Sequence, residues 1–175
     1  MILKIVPGGA FVENTYILQS KDSKELILID PGSQTLEIEE SLSELSFNSI
    51  HIWNTHGHLD HAYGVDYFMK KYKADFNIHM KEVPILQAMT TAASRFGIPE
   101  FSDAVIPEID NFIEEEKQYE VAGLNFKTLL VPGHSPGSIC FHFTKELNPE
   151  EGLDKDLMIC GDTVFAGSVG RVDLT

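Results

Sequence analysis

The sequence has little with which to cross-link itself or to grip a polyanion. Of its 175 residues only two are cysteine, Cys140 and Cys160. Two cysteines make no disulfide framework. Each lies inside an apolar run, so both read as buried, reduced, small hydrophobes. Basic residues are also scarce, with 13 Lys and Arg against 27 Asp and Glu and a net charge of −14. That argues against a broad nucleic-acid footprint and against an anionic membrane surface. No apolar run approaches the ~20 residues of a membrane span. The opening Met1–Val6 is too short, and lacks the basic segment, to be a secretion signal. It reads as a first strand, and the cytoplasm is the expected location. Internal repeats and low-complexity tracts are absent too, which excludes solenoids and arrays.

What is present is ordinary globular material, 43% hydrophobic and 23% charged. The length suits one domain, expected to span residues 1–175. Apolar runs predict strands at Ile2–Val6, Thr15–Gln19, Glu25–Ile29, Ile50–Trp53, Phe76–His79, Lys117–Val121, Leu124–Val131, Ser138–Phe143 and Leu157–Cys160. Helical spacing is expected over Thr35–Leu45, Ala62–Lys73 and Glu82–Phe96. Gly97–Asp110, with its prolines and charges, reads as a surface excursion. Helices and strands interspersed in this way imply an α/β sandwich.

The most informative stretch is Thr55-His56-Gly57-His58-Leu59-Asp60-His61. Neutral imidazole and carboxylate are the groups that zinc and other first-row metals bind. With 7 histidines in the chain, H-x-H-x-D-H arises by chance on the order of one time in a thousand. Two further ligand-type residues follow predicted strands in the same manner. His134 lies in Pro132-Gly133-His134-Ser135-Pro136-Gly137, and Asp162 lies in Gly161-Asp162-Thr163. Loops held by a rigid scaffold are where functional groups commonly sit. Three such loops meeting at one sheet edge would unite His56, His58, Asp60, His61, His134 and Asp162. Singly, Asp60 reads equally well as a helix N-cap, His134 as a loop histidine and Asp162 as a turn former. The case rests on their joint appearance.

With these motifs the chain resembles the metallo-β-lactamase superfamily over nearly its whole length. The matching residues are His56–His61, Pro132–Ser138, Gly161–Thr163, Asp30-Pro31-Gly32 and Asn14-Thr15-Tyr16. Within the superfamily, Gly167–Leu174 is similar to the segment that follows the aspartate in glyoxalase II-like hydrolases. Persulfide dioxygenases share much of it. The resemblance implies an αββα sandwich of four layers with the metals at one edge of its sheets. It also implies that the family's C-terminal part is missing and that the chain is truncated. One metal would take His56, His58 and His134, a second would take Asp60 and His61, and Asp162 would bridge them. A further C-terminal histidine usual in the family has no counterpart here, so the second site is expected to lose a ligand. His51, His79 and His142 read as structural.

The activity this implies is a metal-dependent hydrolase that uses a metal-bound hydroxide on a thioester, as in a hydroxyacylglutathione hydrolase. Two divalent ions, zinc first and iron or manganese as alternatives, would serve as cofactors. Asp60 would hold and orient the nucleophile, and a thiolate leaving group needs no strong protein acid. The partner would be a small-molecule substrate, such as a glutathione thioester. Arg171 is expected to brace the site loop. The alternatives are a mononuclear iron persulfide dioxygenase using His56, His134 and Asp162, a lactonase, and an inactive metal-binding fragment. Oligomeric state is not readable.

Overall fold

The computed structural model describes residues 1–33 and 35–173. Leu174, the last residue of the segment matched above, lies outside them. Six strands form the first sheet in chain order: β1 (Ile2–Gly8), β2 (Glu13–Gln19), β3 (Glu25–Ile29), β4 (Ser49–Trp53), β5 (Asp75–His79) and β6 (Asn111–Ile113). β1 to β3 are antiparallel neighbours, while β3 to β6 run parallel. Four antiparallel strands form the second sheet, in the order β10 (Leu157–Ile159), β9 (Ile139–Phe143), β8 (Leu124–Leu130) and β7 (Gln118–Val121). A small hairpin, β11 (Val164–Phe165) with β12 (Ser168–Val169), follows.

The apolar run of β3 shows why two layers flank the first sheet. Leu26 and Leu28 point to one core, whereas Ile27 and Ile29 point to another. A strand buried on both faces reads as continuous hydrophobic sequence rather than as alternation. The first core is closed by α1 (Leu36–Ser43), α2 (Leu59–Ala62), α3 (Val65–Tyr72), α4 (Val83–Gln87) and α5 (Met89–Phe96). The second lies between the sheets, where Trp53 meets Phe126 edge-on at 5.1 Å and Phe126 packs on Phe143 at 5.0 Å. The chain forms the expected α/β sandwich. Among the described residues, no α-helix packs on the outer face of the second sheet.

Element boundaries depart from the expected ones at three places. The helix expected over Ala62–Lys73 starts late, as α3, and a separate short helix, α2, precedes it; the two are parted around Gly64, whose N–H donates to the Pro31 carbonyl at 2.8 Å. The helix expected over Glu82–Phe96 is a 3₁₀ turn, Met80–Glu82, followed by α4 and α5, with a break at Ala88. The excursion at 97–110 is more than a surface loop. Phe101 is fully buried, and the following residues enter β6 beside β5. No helix is long and apolar enough to cross a membrane among the described residues.

Candidate metal centre

Parallel strands deliver their C-terminal ends to one edge. β3 ends in Asp30, and β4 ends in the histidine heptapeptide. The second sheet adds its own loops there: β8 leads to His134, and β10 leads to Asp162. The two sheets are tied at this edge by the Ile139 N–H, which donates to the Thr55 carbonyl at 2.9 Å. Open sheets commonly present ligand sites at the carboxyl ends of their strands.

His56, His58 and His134 come together with one nitrogen apiece within 4.8 Å of one another. His58 Nδ1 faces His134 Nε2 at 2.9 Å. His61 stands beside them, its ring centroid 4.2 Å from that of His56. Its Nε2 lies 3.2 Å from Asp162 Oδ1, off the line that a hydrogen bond needs, and 4.0 Å from Asp60 Oδ2. The other oxygen of Asp162 lies 3.5 Å from His134 Nε2. The six residues singled out in the sequence therefore share one cleft.

The outer nitrogens decide which way the rings present themselves. His61 Nδ1 is 3.1 Å from Asp30 Oδ2, and His134 Nδ1 donates to the Arg171 carbonyl at 3.0 Å. Thr55 Oγ1 donates to Asp30 Oδ2 at 2.6 Å, which leaves it to accept from His56 Nδ1 at 3.0 Å. With each Nδ1 carrying the proton, three Nε2 lone pairs point inward. Two of these nitrogens, on His56 and His61, are buried and have no hydrogen-bond partner. An orphaned buried polar atom costs ~1–3 kcal/mol, and a cation is the group that would satisfy these. An outer partner that fixes a ligand's tautomer is the usual support of a metal-binding imidazole. The residues present fit a divalent metal.

Electrostatics agree with the geometry at His56 and His58, and the carboxylates beside His61 pull it the other way. Burial holds His56 well below the ordinary histidine value, and the neighbouring imidazoles lower it further, so it stays neutral. Burial and His134 push His58 down to about 4. Burial would also lower His61, but its interactions with Asp162 and Asp30 outweigh burial and raise it. Burial would raise Asp162; the histidines around it prevail and hold it below the ordinary carboxylate value.

Several supporting residues were not among the candidates. Asp30 read only as part of a turn and a family motif. It is fully buried, has a φ of 51°, and also accepts the Thr55 N–H at 2.7 Å. Thr55 carried no signal beyond its position before His56. Glu13 is buried with both oxygens unpartnered, and burial raises it to about 7. Arg171 contacts the site through its carbonyl, while its guanidinium pairs with Asp173 at 2.8 Å. Ser135 shares a hydrogen bond with Ser138 at 2.6 Å rather than with a histidine, so no serine triad forms there. His51, His79 and His142 face Asp75, Glu115 and Asp156, and none joins the clustered nitrogens.

The sequence profile of the metallo-beta-lactamase superfamily matches residues 8–175. The chain belongs to this superfamily. One superfamily relative, the hydroxyacylglutathione hydrolase GloC of Haemophilus influenzae, is 30% identical over 176 residues, covering 99% of this chain and 76% of that protein. Among solved structures, the BLEG-1 B3 metallo-beta-lactamase superposes with a TM-score of 0.82 at 28% identity, over 99% of this chain and 78% of that one. TTHA1623 in a di-iron-bound form gives 0.75 at 28% identity, over 98% of this chain and 77% of that one.

Proposed function

We propose that the protein is a thioester hydrolase of the hydroxyacylglutathione hydrolase type, working with two divalent metals of which zinc is the first choice. Metal-dependent hydrolysis is the coarse activity that superfamily membership supports. The observation that carries the reading is the set of inward lone pairs, held there by Asp30, Thr55 and the Arg171 carbonyl. His56, His58 and His134 would hold one ion, and Asp60 and His61 the other. The two oxygens of Asp162 reach one histidine of each set, which supports a bridging role. Bound divalent metal supplies Lewis-acid polarisation of a carbonyl and a water acidic enough to react at neutral pH.

The chain's own residues do the rest. Asp60, at the mouth of the cleft, holds and orients the attacking water. A cavity of about 560 Å³ opens over Asp60, His61 and Asp162. Its walls include Phe11, Val12, Tyr16 and Phe165, which would seat the acyl part and exclude bulk water. The thiolate leaves without a protein acid. The thioester assignment is supported by the resemblance to the Haemophilus hydroxyacylglutathione hydrolase. Both thiols are free, which suits the cytoplasm as the place of action.

Metal analysis beside thioester-hydrolysis and oxygen-uptake assays tests this reading. Two equivalents of metal and hydrolysis are expected. Oxygen uptake on a persulfide without hydrolysis would overturn it in favour of the dioxygenase. His58→Ala should lose metal and abolish turnover, and full activity in that variant would refute the ligand set. Asp162→Ala should empty the centre more than His61→Ala does; equal metal content would contradict the bridge.

A further inference from the structure

Glu82 closes the 3₁₀ turn that follows β5, and it is completely buried. Its Oε2 accepts the N–H of Gly57, between His56 and His58, at 2.8 Å. Its Oε1 accepts the N–H of Gly137, three residues past His134, at 2.6 Å. One carboxylate therefore spans the loop of the first sheet and the loop of the second. Gly137 leaves no room for a side chain at this approach, and Gly57 is a tight fit. A Cβ on Gly137 would stand 2.7 Å from His79 Nδ1 and 2.9 Å from Glu82 Oε1. A Cβ on Gly57 would stand 3.1 Å from the Glu82 carbonyl.

We propose that Glu82 is the positioning residue that sets the distance between the His56–His58 pair and His134. The proposal rests on the metal reading above, and it concerns a residue that touches no ligand side chain. Three adjacent parallel strands end at this edge. β3 contributes Asp30, which orients His61, β4 contributes ligands, and β5 contributes Glu82. Charge-assisted hydrogen bonds to a buried carboxylate are short and directional. The spacing of its two oxygens is fixed by covalent geometry, so the two loops cannot drift apart independently. The Thr55 carbonyl ties the sheets through the Ile139 N–H at 2.9 Å, and the Val131 N–H closes the Pro132–Ser138 turn on the Ser138 carbonyl at 2.8 Å. Among the described residues, Glu82 is the side chain that hydrogen-bonds to both loops.

The test compares wild type, Glu82→Gln and Leu42→Ala, a core variant in α1 that loses stability away from the site. Zinc affinity is read by chelator competition, and the cobalt-substituted proteins are read by visible absorption. Glu82→Gln keeps the shape but turns an amide donor toward one of the two N–H groups. Zinc affinity should fall on the order of tenfold or more, the cobalt spectrum should change, and kcat should fall more than KM rises. Leu42→Ala should keep wild-type affinity and spectrum. Wild-type affinity and spectrum in folded Glu82→Gln, or an equal loss in Leu42→Ala, would overturn the proposal. Absence of metal binding by wild type would instead sink the metal reading itself. Should Glu82→Gln not fold, amide exchange in the wild type decides. Slow exchange at both Gly57 and Gly137 is required, and fast exchange at either in the folded protein refutes the bridge.

Discussion

Asp30 and Glu82 do comparable work from β3 and β5, on either side of β4, each using two carboxylate oxygens to hold backbone or side-chain donors of the loops that carry the clustered histidines. Two fully buried carboxylates are tolerated because hydrogen bonds replace the water they lose. At the opposite end of the first sheet, His51 pairs with Asp75 at 2.6 Å and faces Glu25 at 3.6 Å. The Asp75 hydrogen bond raises His51 above its ordinary 6.5 against the effect of burial. Burial would raise Asp75, but His51 and Asn77 bring it below its ordinary 3.8. A raised histidine contributes stability below its unfolded value, lost as pH climbs through the folded one. A lowered aspartate contributes above its unfolded value, lost as pH falls through the folded one. The pair is therefore strongest between 3.8 and 6.5. His51→Gln should cost on the order of 1 kcal/mol or less near pH 5.5 and less still near pH 9 by urea unfolding. An unchanged cost across that range would remove the pair from the account.

At the scale of elements, the break around Gly64 parts α2, which carries His61, from α3. An unbroken helix over Ala62–Lys73 would need no close approach to the Asp30–Ser33 turn. The structure instead packs Gly64 so tightly that an added Cβ would lie 2.2 Å from the Ser33 carbonyl oxygen and 2.6 Å from that of Pro31. Both are backbone atoms, which cannot swing aside. Gly64→Ala should destabilise by at least roughly 1–3 kcal/mol and weaken metal binding, since α2 carries Asp60 and His61. Calorimetry and chelator competition would check this, and a wild-type transition would show that the turn has slack. The histidine motif is plain in the sequence; this contact is not, because an isolated glycine in a helical pattern reads as a minor propensity cost.

For the molecule as a whole, the centre lies across the seam between two sheets. Its first cluster draws His56 and His58 from one sheet and His134 from the other, while Asp162 adds a loop from β10. Metal binding should therefore tie the sheets together and appear as global stability. Free zinc at a hundred times its dissociation constant should add about 2.7 kcal/mol per site to unfolding, and a chelator should abolish the gain. A metal-independent unfolding curve would mean that the sheets are held without help from the centre.

Much of this was legible before any coordinates. The alternation of apolar runs and turns points to an α/β sandwich, and the H-x-H-x-D-H spacing marks one loop of candidate ligands, because both are local patterns of side-chain chemistry. His134 and Asp162 could be named from their strand–loop context, while His51, His79 and His142 could be set aside. Asp30, Thr55, Glu13 and Glu82 could not be ranked in that way. Glu13 owes its place to burial alone, and Asp30, Thr55 and Glu82 owe theirs to burial and to hydrogen-bond partners 25 to 55 residues distant in the chain, which no local pattern encodes. The residue types and their spacing determined the chemistry on offer. Only the packing of two sheets edge to edge decided which nitrogen of each ring faces inward, because a tautomer is set by its hydrogen-bond partner and the partners are brought together by the fold.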